Sequence, residues 1–571
     1  MSHEDAIEIQ WRLAGDGGAS SERLTLHPVD DDGWHRSYSC AIPIGPAARE
    51  LDLSIFFPKG AAWRLTADRT FETLPGSRSA AFPLGTVLVT HHSGLWRWTL
   101  PGAPWQASRF IDGRAVAGLR IRYQAACGLI FWGAGKLRSP PAVERVELAA
   151  DRLNDLSECI WLEPFPGGAK GALCLTDHAD FDSVEKLRLL MPLVERTGFR
   201  FTKSIFPHSD PAPGRPDKRE PGLDDPAFRG AVARLHELGV EIAYHGFSPR
   251  REAPGIEECQ RRSEAMAAFS PETWIDHGTG DYLFSRKARL DGGADLIGFL
   301  DRLGIESYWS YFDIWDNPLG DLNSWRSSRP ARLAEEGFRL LSRSPAIPAG
   351  ARRHSFRHVF GNLFGEHAYL DVRDRPARWR RAVGRIPQLW RLRSSPQLLY
   401  GLDGRSPLTA PAKHWIFDTT LLNHLALQIV PGTLNRLASD SALCLGHTYF
   451  GWSPQFGTNV FGRGGDGSLH ILPVFEESLE HLRQLQQRRE LASVPFRDLR
   501  ASLTAFREAR LVRRERGWEL QGASRAGVSV GLPLHFPAKT PGDSVFSGRR
   551  LLALSSGQRI FIPLSPGASR C

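Results

Sequence analysis

At 571 residues the chain is too long for one core and suits two to four domains. With 42% hydrophobic and 24% charged residues, the composition excludes global disorder, and no apolar run reaches the length of about 18 residues that a membrane-spanning helix needs. Seven scattered cysteines without a CxxC pair exclude a disulfide framework or a zinc knuckle, and the formal charge of +9 suits an anionic partner, although a compositional drift toward Arg explains it equally well.

Residues 1–8 are acidic and lack a basic stretch followed by an apolar one, so no signal peptide is expected and the expected compartment is the cytoplasm. Residues 1–160 read as strands joined by Gly/Pro turns, with LDLSIFF at 51–57 and GLRIRY at 118–123 alternating, and predict a β-sandwich. The texture changes at 168. The short apolar strand ALCLT at 172–176 runs into a polar cluster, and a helix over 184–197 stops at Gly198. A strand at 200–206 follows, then a helix at 228–238 stopped by Gly239 and a strand at 240–244 leading into His245. The unit repeats with a helix at 294–303, Gly304 and a strand at 305–311. Strands alternating with helices of this length imply parallel βα units, as an open sheet or a barrel.

Residues 351–400 are dense in Arg and aromatics, among them Arg378, Trp379, Arg380, Arg381 and Trp390. They read as an insert, either a solvated or domain-packing face or a glycan-binding surface. Beyond it a helix is expected at 418–428, a strand at 441–445 and a helix at 479–491, with short strands from about 511 onward. The expected domains are 1–160, an α/β unit at 161–495 carrying the insert, and a small C-terminal β domain at 496–571.

In parallel βα architectures catalytic groups come from the C-terminal ends of several strands, which open on one face. Here those ends deliver Asp177, His178 and Asp180, then His245, then His277, then Asp313 and Asp316, and last His447. Two His and one Asp with open positions suit one divalent metal ion, zinc before others. Each residue also has a plain structural reading. His245 can be a satisfied core histidine, and Asp177 and Asp180 can be turn formers or helix caps, although Asp182 or Ser183 is the better cap.

Taken together, LTDHADFD at 175–182, EIAYH at 241–245, the Trp309 strand and LCLGH at 443–447 resemble the polysaccharide deacetylases (carbohydrate esterase family 4, the NodB-homology fold) over roughly 165–495. The resemblance implies a distorted (β/α) barrel flanked by N- and C-terminal all-β domains. It implies a metal-dependent hydrolase that removes an N- or O-linked acetyl group from a carbohydrate, in bacterial surface glycan metabolism, with no nucleic acid partner. Asp177 then corresponds to the catalytic base and His447 to the general acid. Asp180, His245 and His277 become the metal ligands, with His178 as an alternative ligand, and Trp309, Asp313 and Asp316 line the substrate. The chain departs from the family pattern in three ways. Its Asp pair is split by His178 and Ala179, the usual second His is Pro249, and the family's arginine has no obvious counterpart, Arg250, Arg251 and Arg286 being the nearest. The rival readings are another metal hydrolase or a glycosidase on a similar barrel, and a non-catalytic glycan-binding protein.

Overall fold

Strands that are apolar on both faces need cover on both, and closing a parallel sheet inside a ring of helices provides it. Seven such strands form the centre of the computed structural model: β1 (Gly171–Asp177), β2 (Thr202–Ile205), β3 (Glu241–His245), β4 (Thr273–Ile275), β5 (Ser307–Asp316), β6 (Trp415–Leu421) and β7 (Leu443–Thr448). Every residue of β1, β3, β6 and β7 is buried. The structure describes residues 7–15, 18–44, 48–66, 69, 71–74, 87–99, 107–112, 114–122, 143–212, 215–249, 255–277, 295–316, 322, 324, 399–401, 412–422, 425–452, 460–515, 517–522, 528–535, 546–554 and 559–560.

Each barrel strand pairs in parallel with the next, and β1 pairs with both β2 and β7, which closes the ring. The seam between β1 and β2 is divided. Only the end of β1, Thr176 and Asp177, meets β2, while Gly171, Ala172 and Leu173 pair with a further parallel strand, β8 (Leu491–Ser493). Ser493 stitches β8 to the chain entering β2, its Oγ donating to the Arg200 carbonyl at 2.7 Å and accepting from the Arg200 amide at 3.1 Å.

The helices start and stop on local chemistry. In α1 (Val184–Thr197) the Ser183 hydroxyl accepts from the Lys186 amide, and Gly198 ends the helix at φ 66°. Its buried face of Leu187, Leu190, Leu193 and Val194 packs on the barrel. Next come α2 (Pro226–Glu237), α3 (Ile256–Met266) and α4 (Leu296–Arg302). The expected helix at 418–428 is a correction: residues 415–421 are β6, and among the described residues of that span only α5 (Leu425–Gln428) is helical. Trp415, Phe417 and the β-branched pair Thr419 and Thr420 favour the pleated, buried conformation over helix. After α6 (Pro431–Ser439), the late helix α7 spans Pro473–Gln487 rather than 479–491, because Pro473 supplies a ready first turn and Leu491 already belongs to β8. The last helix, α8 (Phe496–Glu508), contributes Phe496, Leu499, Leu503 and Phe506 to a core shared with Ala172, Phe417 and Leu443, so it packs against the barrel.

The N-terminal residues form a five-stranded and a seven-stranded antiparallel sheet that share one core, with Ile9 and Leu53 from the first meeting Trp98 and Val146 from the second. C-terminal strands build two three-stranded sheets, one of which includes Trp161–Glu163. The chain is thus a barrel flanked by all-β units. They are joined through the fully buried Arg69, which binds Glu163 bidentately and donates to Ser441 Oγ at 2.9 Å, just before β7. Among the described residues no helix is long and apolar enough to cross a membrane. The Arg-rich insert lies outside the described residues except for 399 and 400, as do Arg250, Arg251 and Arg286.

Candidate metal centre

The C-terminal ends of the barrel strands converge on one acid. Asp180, in the turn after β1, has Oδ2 at 3.0 Å from His245 Nε2 at the end of β3 and Oδ1 at 3.1 Å from His277 Nε2 just after β4. His178, one residue past β1, joins them, and ligand atoms of His178, Asp180 and His245 all lie within 4.8 Å of one another. The His178 and His245 rings are 4.9 Å apart, as are those of His245 and His277. His447 from β7 stacks on His178 at 3.7 Å, and Trp309 from β5 meets both edge-on at 4.7 and 4.8 Å. Trp309 is held in place by its indole N–H, which donates to Thr419 Oγ1 at 2.8 Å. Residues expected to ligate from three distant segments therefore come together, with His178 among them. Asp313 and Asp316 lie on β5, and their side chains are outside the described set.

Burial sets the protonation of this pocket. It pushes His245 down to about 4 and His178 well below the ordinary histidine range, with His447 and His245 adding to the effect on His178. For Asp180 burial acts upward, yet His277 and His245 outweigh it and hold the carboxyl well below its usual range. Neutral imidazoles such as those of His178 and His245, beside an ionised carboxylate, are the form in which a divalent transition ion takes its ligands. His178 Nε2 is also a buried nitrogen with no hydrogen-bond partner among the described residues, a situation that costs about 1–3 kcal/mol unless something occupies the position. These residues fit a metal ion.

Asp177, expected as the base, is placed differently. Lys203 Nζ donates to its Oδ2 at 2.7 Å, and the Phe450 amide donates to its Oδ1 at 2.7 Å. The same ammonium sits 2.7 Å from Asp182 Oδ2 and donates to the His178 carbonyl at 3.2 Å. All three charged side chains are at most 2% exposed. Burial pushes Asp177 up and Asp182 to about 8, against the pull of Lys203. Burial alone would lower Lys203, but the two carboxylates hold it raised. Sequence reasoning missed Lys203, and the available signal was a lysine inside the apolar strand FRFTKSIF at 199–206. Among the described arginines, Arg262 is buried close to the barrel rim. It buttresses the loops after β2 and β3 through Asp210 Oδ2 at 2.6 Å and the Phe247 carbonyl at 2.9 Å.

The loops after β1 and β7 are locked together at the rim. Lys186 Nζ donates to the carbonyls of Phe181, at 2.6 Å, and Gly451, at 2.5 Å. Phe181 takes the left-handed φ of 71°, and its ring lies parallel to Trp452 at 6.2 Å.

No family model and no curated protein matches the chain. Similar solved structures include a Glycoside Hydrolase Family 97 enzyme in complex with acarbose from Pseudoalteromonas sp. strain K8, at 7% identity and TM-score 0.20, covering 53% of this chain and 57% of that one. Pullulanase type I from Bacillus subtilis str. 168, complexed with maltose, is 9% identical over 98% of both chains at TM-score 0.26. Pullulanase from Anoxybacillus sp. LM18-11, complexed with maltotetraose, is 8% identical over 98% of both at TM-score 0.25. Likenesses this weak carry no argument about this chain's chemistry.

Proposed function

We propose that the chain is a metal-dependent hydrolase of polysaccharide-deacetylase type that removes an acetyl group from a carbohydrate. The observation that carries this reading is Asp180 held between His245 Nε2 and His277 Nε2, with His178 Nε2, unpartnered among the described residues, beside it, at the C-terminal rim of a closed parallel barrel. Asp180, His245 and His277 would hold one divalent ion, zinc before others, with His178 as the further ligand. Such an ion acidifies bound water and polarises an acyl carbonyl.

The chain's own residues supply the rest. Trp309 walls one side of the pocket and fixes the planes of His178 and His447. His447 faces the ligand set through its stack on His178 and is placed to pass a proton to the leaving amine or alkoxide. Asp177 has a strong donor on each oxygen, so it acts by holding the end of β1 rather than by taking a proton directly. A glycosidase reading fits less well. That chemistry needs two carboxyl groups facing each other across open space, whereas Asp177 and Asp182 are drawn onto one buried ammonium.

The test is metal content and acetate release measured side by side. Wild-type protein should carry about one divalent ion per chain, the usual stoichiometry of a mononuclear site, and release acetate from acetylated oligosaccharides. Asp180→Ala and His277→Ala should lose both properties. A metal-loaded protein that releases no more acetate than Asp180→Ala, across amide- and ester-linked substrates, would refute the proposal.

A further inference from the structure

The turn joining β1 to α1 carries two of the residues gathered in the site, His178 and Asp180, yet it has little internal support. Its backbone is held by the His178 amide donating to the Thr448 carbonyl at 2.9 Å and the Asp182 amide donating to the Ala179 carbonyl at 3.2 Å, and Phe181 sits at positive φ. Such a turn persists only where its surroundings fix it. Lys186 ties its outer edge at the Phe181 carbonyl, and Lys203 reaches into its buried side. Cross-strand register sets its Cα opposite Asp177, and its buried ammonium meets Asp177, Asp182 and the His178 carbonyl together.

We infer that Lys203 is the positioning residue of this site: by drawing both ends of the 177–182 turn onto one ammonium, it fixes the pose of His178 and Asp180. Without it, two buried carboxylates would face each other uncompensated and the turn would open. The inference rests on the metal-centre reading. Lys203 acts on a bound cation in two opposed ways. Its charge repels the ion, while its three contacts preserve the ligand geometry. Removing it separates the two effects by sign, because a purely electrostatic role predicts tighter binding and a positioning role predicts weaker binding.

The experiment uses full-length wild type, Lys203→Met and Asp182→Asn, each checked for a cooperative thermal transition. Co²⁺ affinity and its visible absorption spectrum are recorded, and histidine-ring ¹⁵N resonances are followed in metal-free protein. Lys203→Met should weaken Co²⁺ binding by about 10- to 100-fold, the range for groups that orient metal ligands, and change the spectrum. It should also move the His178 and His245 resonances while the remote His35 and His481 stay in place. Asp182→Asn, which keeps the Lys203–Asp177 contact, should act in the same direction and less strongly. A folded Lys203→Met that binds Co²⁺ as tightly or more tightly, with unmoved rings, overturns the inference. If Lys203→Met does not fold, Asp182→Asn decides by the same readouts. If wild type takes up no Co²⁺, the metal reading fails, and the ring resonances alone decide the role of Lys203.

Discussion

The rim clamp predicts the effect of adding one methyl group. A Cβ at Gly451 would lie 2.5 Å from the Phe181 carbonyl oxygen, 2.7 Å from its carbon and 3.0 Å from the Asp182 amide nitrogen. Those atoms are backbone and cannot rotate away, and real Cβ contacts essentially never fall below 3.0 Å, so Gly451→Ala must part the two loops by at least about half an ångström. Lys186, which bridges the same two carbonyls, has to stretch with them. Forced overpacking of this kind costs about 1–3 kcal/mol. A misplacement of about 1 Å at reacting groups can cost about 100-fold in rate, so half that displacement should slow turnover by about tenfold as the His178–His447 stack shifts. Urea denaturation and acetate release by the metal-loaded protein measure the two effects. Gly230→Ala on α2 is the control, with open space around its added methyl group. It should gain about 0.5–1 kcal/mol of stability at unchanged turnover. A Gly451→Ala variant as stable and active as wild type, or a Gly230→Ala variant equally impaired, would refute the reasoning.

Other outcomes follow from burial and charge. The folded His245 stays neutral down to about 4, whereas an unfolded imidazole protonates near 6.5, so between those values the unfolded chain binds more protons and His245 costs stability as pH falls. Asp182, pushed to about 8, slopes the opposite way, so the imidazole is isolated by comparing metal-free wild type with His245→Gln; identical slopes in both would refute this. Arg69→Met should cost about 3–5 kcal/mol in denaturant unfolding, because it leaves Glu163 charged and buried, and adding Glu163→Leu should recover most of the loss. A single-variant cost under about 1 kcal/mol would place that pair among inconsequential ones. Metal analysis after dialysis should show loss of the ion from His178→Ala and retention by His447→Ala; the reverse would exchange their roles.

Much of the barrel was readable because its punctuation is local. Gly198, Gly239 and Gly304 end their helical stretches at φ 66°, 86° and 80°, as the turn chemistry of glycine requires, and each is followed by a barrel strand. Asp180, His245 and His277 were found by the rule that parallel strands present their C-terminal ends on one face. The Asp177–Lys203–Asp182 group was not, because it depends on the register of β1 against β2, and no periodicity within either strand encodes which residue stands opposite which. β6 was misread for a related reason. Leu421, Leu422 and Leu425 mimic a helical stripe, and only burial on both sides reveals that the preceding residues run as a strand. The division of β1 between β2 and β8 was equally hidden, since β8 is three residues long and arrives more than 300 positions later.

That divided seam governs the order in which the protein can be assembled as it is synthesised. β1 finds β2 soon after it emerges, but only over Thr176 and Asp177; the rest of that edge waits for β8, and the opposite edge waits for β7, where Thr176 is registered against His447. At ribosomal speeds of about 5–20 residues per second, the interval between Asp177 and His447 lasts roughly a quarter of a minute to a minute. Throughout it the strand bearing Asp177 shows an unpaired apolar edge, the kind of surface that recruits other strands. Slowed growth at low temperature, or a chaperone that shields that edge, should therefore raise the yield of folded protein more than any change in the flanking β units.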